Sequence, residues 1–127
     1  MHDRHLYEYA VIRVVPRVER EEFVNAGVIL FSKRSNFIKM LYATDAKKIS
    51  SFAADIDMEQ LELNLLAFQK ISEGANDGGP IAKMDVPSRF RWLTAVRSSV
   101  IQTSRPHPGL CSDLEATTAR LFSELVL

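Results

Sequence analysis

Three apolar runs separated by short polar breaks, at residues 7–15, 23–31 and 37–43, leave this chain few folds to choose from. In the first run Tyr7, Tyr9, Val11 and Val15 share one face, and Ala10, Ile12 and Val14 the other. Period two with both faces apolar is the pattern of a strand buried on most of both sides. Pro16 ends it, because proline lacks the N–H that a central ladder needs. Beyond the charged stretch 17–22, the second run returns as the antiparallel neighbour, with Gly27 at a bulge or a close backbone approach. A turn over residues 32–36 leads into the third strand. Short connections between successive strands make a meander.

Helical spacing follows. Thr44 or Asp45 caps a short helix reaching about Ala54, and Asp57 caps a second with Gln60 three positions on, as in a capping box. Met58, Leu61, Leu65, Phe68 and Ile71 recur every three or four residues, so one helix face is apolar and covers the sheet. Residues 73–80, with three glycines, an Asn and an Asp, form the clearest loop. Pro87 opens a short helix over residues 89–96, and residues 99–103 read as a fourth strand. Ser112 with Glu115 forms a capping box for a C-terminal amphipathic helix carrying Leu114, Leu121, Phe122 and Leu125. The expectation is a single α+β domain over residues 1–127, an antiparallel sheet of about four strands covered by helices.

Charge supplies no long-range attraction. Lys and Arg together number 16, as do Asp and Glu, so no global field draws the chain to nucleic acid or acidic lipid. Any polyanion site is local. A single cysteine, Cys111, forms no intrachain disulfide, which fits a reducing compartment. Residues 1–6 carry two histidines, an Asp and an Arg where a signal peptide needs an apolar core, and no apolar run reaches membrane-spanning length. The expected location is the cytoplasm, without membrane contact.

The blocks Tyr7-Glu-Tyr-Ala-Val-Ile-Arg-Val-Val-Pro16 and Arg20-Glu-Glu-Phe-Val-Asn-Ala-Gly-Val-Ile-Leu-Phe31 resemble the opening of a bacterial family catalogued as domain of unknown function 3037. Leu93-Thr-Ala-Val-Arg-Ser-Ser-Val-Ile-Gln102, His107-Pro-Gly-Leu110 and Leu121-Phe-Ser-Glu-Leu-Val126 are similar to its second half. Val96 departs from the proline usual there. The resemblance implies no activity. It does imply a genomic setting, since members are often encoded beside HipA-like kinases, which makes such a kinase the expected protein partner.

A few polar residues stand out against the apolar runs. Arg13 is a permanent cation inside an apolar strand and needs a carboxylate such as Glu8, Glu21 or Glu22, an opening to solvent, or an anionic ligand. Asn25 interrupts the second strand in the same way, either to stabilise the turn or bulge at Gly27 or to bind. From Arg97 to His107 the chain is dense in phosphate-compatible donors: Arg97, Ser99, Gln102, Arg105 and His107. If residues 99–103 pair with the first strands, Arg13, Asn25 and Arg97 converge on one face. The alternative reading is a polar sheet edge with Pro106, Pro108 and Gly109 shaping a loop.

Catalytic patterns are weaker. His107 and Cys111 lie four apart, but spacing along a loop supplies neither a placed base nor an oxyanion site. His2, Asp3 and His5 lack a third fixed histidine or a cysteine ligand for a metal. No glycine loop of a nucleotide-binding kind is present, and no cofactor is expected. Three functions remain. The first is a non-enzymatic interaction or regulatory protein. The second is a nucleic-acid or nucleotide/phosphate-binding module. The third is an enzyme of unrecognised type acting on a phosphorylated substrate.

Overall fold

A computed structural model describes residues 4–17, 20, 22–52, 55–97 and 99–127. Strands β1 (His5–Val14), β2 (Val24–Ser32) and β3 (Phe37–Tyr42) form the antiparallel meander that the alternating runs require. Helices α1 (Ala46–Phe52), α2 (Met58–Glu73) and α3 (Val86–Leu93) follow, with a 3₁₀ turn at Ile81–Lys83 before α3. Then come β4 (Ile101–Thr103), β5 (His107–Cys111) and α4 (Leu114–Leu125). The fold is α+β, an open antiparallel five-stranded sheet with helices packed on it.

The order is β3-β2-β1, and both β4 and β5 lie against the remaining edge of β1. The β4 strand takes the C-terminal half, with Ile12 opposite Thr103 and Val14 opposite Ile101. The N-terminal half belongs to β5, with His5 opposite Cys111 and Tyr9 opposite His107. Between them Ser104 continues the ladder: its N–H donates to Val11 O at 2.8 Å, and its Oγ accepts from Val11 N at 2.8 Å. The sheet therefore gains a strand that Pro108 and Gly109 disguised as a loop. Proline is tolerated in this strand because β5 lies at the outer edge of the sheet.

Each face of the sheet has its own core. Ala10, Ile12, Val14, Ile29 and Phe31 pack under α1–α3 through Ile49, Leu61, Leu65, Phe90 and Leu93. Tyr7, Val28 and Leu30 pack under α4 through Leu114 and Leu121. The two-faced alternation of β1 is as its sequence requires. Along β2 the alternation changes phase, since Val24 and Ala26 join Ile29 and Phe31 on the first face. A bulge causes it: Ile12 faces Gly27 while Arg13 faces Asn25, leaving Ala26 as the extra residue. Asn25 is thereby turned to the second face.

Helix starts follow short-range chemistry. Asp57, Asp85 and Asp113 each accept a hydrogen bond from the backbone N–H three residues later, at 3.0, 2.8 and 3.0 Å. The last helix is thus capped by Asp113 rather than Ser112, and Pro87 sits inside the first turn of α3 rather than opening it. Asp45, not Thr44, caps α1, through Lys48 N at 3.1 Å. Among the described residues no helix is long and apolar enough to cross a membrane.

Candidate functional site

The polar residues singled out by sequence separate into two groups. Arg13 lies opposite Asn25 on β2 and opposite Gln102 on β4, so these three form one row across the second face of the sheet. Arg13 is half-buried, its guanidinium 4.1 Å from the centre of the Phe23 ring, and its Nε is buried without a partner. Glu8 pairs with Arg91 and Glu22 with Arg20, so two of the carboxylates expected of Arg13 are held by other arginines. The third, Glu21, lies outside the described residues. Asn25 Nδ2 donates to Leu125 O at 3.0 Å, satisfying a carbonyl at the C-terminal end of α4. Farther along the same face His107 packs on Tyr9, with ring centres 5.3 Å apart.

Arg97 does not join that row. It lies over Trp92 and Phe68 on the side of the sheet covered by α2 and α3, with its centre 4.6 and 5.2 Å from those rings, and its Nη2 donates to Trp92 O. Burial there lowers its pKa from the ordinary arginine value. Ser99 and Gln102 spend their side chains on the loop before β4: Ser99 Oγ donates to Ile101 O at 2.7 Å, and Gln102 Nε2 to Ser99 O at 2.9 Å. Arg105 is exposed. The donors of this segment therefore do not face a common point. His2 and Asp3 lie outside the described residues.

A broad groove lies at the other end of the sheet. Because β5 pairs with β1 in register, Leu6 stands opposite Leu110 and Glu8 opposite Pro108. These side chains point to the face covered by α1–α3, yet no residue of β5 enters that core. Leu6 is 63% exposed and Leu110 59%, two leucines side by side on a bare sheet. They line a groove of about 990 Å³ with Pro108 and the edge of Phe31. Solitary exposed leucines are commonplace, whereas an apolar floor framed by charges marks an interaction surface.

The frame is cationic. Arg4, Lys33, Arg34 and Arg91 line the groove, and Glu8 is its one carboxylate. Arg91 is held in place: its two terminal nitrogens donate to the two Glu8 oxygens at 3.1 and 3.0 Å, and its centre lies 5.8 Å from the Phe31 ring. That ring in turn stacks on Phe90 with centres 4.8 Å apart. A two-pronged guanidinium over an aromatic pair keeps little freedom to lose on binding. Lys33 and Arg34 stand on the turn between β2 and β3. Ser32 Oγ donates to Leu6 O at 2.9 Å, and His5 Nδ1 and Ser35 Oγ share a hydrogen bond at 2.7 Å, fastening that turn to β1.

Sequence reading missed this groove. It placed no strand after residue 103 and had Pro106, Pro108 and Gly109 shape a loop in its alternative reading, so Leu110 had no strand partner and Leu6 no neighbour. The available signal was the period-two pattern of 107–111, with Pro108 and Leu110 on one side, in a segment whose glycine and prolines point to a turn. Glu8 was considered only as a partner for Arg13.

A family model described as "Protein of unknown function (DUF3037)" matches residues 9–126. No curated protein and no solved structure matches the chain.

Proposed function

The chain belongs to the DUF3037 family, described only as of unknown function, and we propose that it is a non-enzymatic interaction or regulatory protein whose partner docks on the uncovered end of its sheet. The observation that carries this reading is the pair Leu6 and Leu110, more than half exposed on a sheet face that α1–α3 cover elsewhere. Covering them recovers roughly 1–2 kcal/mol each, whereas a surface ion pair contributes about 0–1 kcal/mol. The leucines supply affinity, and the surrounding cations select the partner. A HipA-like kinase, cytoplasmic like this chain, is the partner suggested by genomic neighbourhood in the family that the sequence resembles.

Co-expression of the tagged chain with a HipA-like kinase, of the kind often encoded beside members of the family, tests this reading. The expected result is a stoichiometric complex on a size column at about 0.15 M salt, reduced by Leu110→Gln. Elution of the folded chain without the kinase would contradict it.

A phosphate-binding module is the second reading, supported by the Arg13, Asn25 and Gln102 row. It is the weaker one, because Asn25 and Gln102 already donate to backbone carbonyls.

A further inference from the structure

Resting on the docking reading above, we infer that the groove takes an acidic peptide segment of a partner protein, with its carboxylates on the rim and its apolar side chains on the floor. Lys33 and Arg34 are both exposed on a turn tied to β1, and among the described residues neither belongs to an ion pair. Arg4 adds a third cation from the start of β1. Arg91 is different, since Glu8 already neutralises it. The groove thus carries uncompensated positive charge in a chain whose Lys and Arg equal its Asp and Glu, 16 against 16. Positive charge beside bare leucine selects a segment that interleaves carboxylates with apolar side chains.

A peptide fits this site better than a small anion does. Pockets for small molecules enclose most of their ligand, whereas the floor here is open, with Leu6 63% and Leu110 59% exposed. That floor comes from alternate residues of adjacent strands, which offers a segment of chain a flat row of contacts. Nucleic acid is disfavoured by the same floor, since it presents leucines where single-stranded bases need exposed aromatic faces.

Fluorescence anisotropy of the full chain with a labelled twelve-residue peptide of alternating Glu and Leu tests the assignment. Two control peptides replace every Glu by Gln or by Lys. Binding of the Glu peptide, at least about tenfold weaker with the Gln peptide and absent with the Lys peptide, is expected. The double variant Lys33→Glu with Arg34→Glu, placed on exposed positions and checked for an unchanged circular dichroism spectrum, is expected to lose at least about tenfold in affinity for the Glu peptide. No binding, equal binding of the Glu and Gln peptides, or indifference to the double variant overturns the acidic-peptide assignment. So does self-association of the chain that Leu110→Gln abolishes, because a second copy is then the occupant. A kinase complex that forms while the peptide fails sinks this assignment alone, and absence of both sinks the docking reading as well.

Discussion

Two glycines in the sheet do different work. Gly109 lies opposite Tyr7, and a Cβ there would run into the tyrosine ring, so the glycine lets that ring lie across β5. At Gly27 the obstacle is backbone. An added Cβ would sit 2.7 Å from Leu41 O and 2.9 Å from Tyr42 Cβ on the neighbouring strand. The carbonyl is part of the β2–β3 ladder and cannot rotate away. Gly27→Ala is therefore expected to destabilise the protein by about 1–3 kcal/mol, read as a shift in urea midpoint at unchanged slope. The bulge at this position was legible as a glycine inside an apolar run. Which residue it expels was not, because the phase change of β2 depends on its pairing with β1.

Among elements, the strands with strong alternation and the helix capped by Asp57 were readable, since their signals lie within a few residues, whereas Pro87 and Ser112 drew the reading away from the caps Asp85 and Asp113. The β5 strand was not readable, because its local chemistry, Pro108 and Gly109, favours a turn and only pairing with β1 overrides it. On the other face of the sheet α4 packs Leu114 and Leu121 on Tyr7 of β1 and on Val28 and Leu30 of β2. Thr118, fully buried in that helix, donates its hydroxyl to Leu114 O at 2.7 Å and leaves no orphaned polar group. The Asn25 contact to Leu125 O then fixes where the helix ends. Leu121→Ala should cost about 2–4 kcal/mol in chemical denaturation, since α4 is the helix that contributes to that smaller core. A loss below about 1 kcal/mol would mean that α4 rests loosely on the sheet.

At the scale of the whole molecule, the helices of the larger core leave the β1–β5 end of their sheet face bare, and the cations gather there. The candidate residues read from sequence lie elsewhere, in the row at Arg13 and in the Arg97 stack, because a single sequence marks polar residues in apolar runs but not apolar residues left uncovered. Trp92, 39% exposed beneath Arg97, and Val100, 37% exposed near it, form the competing surface. Hydrogen–deuterium exchange on a complex with the proposed partner, a HipA-like kinase, separates the two surfaces most directly. Docking on the uncovered sheet predicts slowed exchange at residues 5–8, in the turn 33–36 and in His107–Cys111, with residues 99–101 exchanging as in the free chain. Protection confined to the segments around Trp92 and Val100, with β5 exchanging as in the free chain, would contradict it.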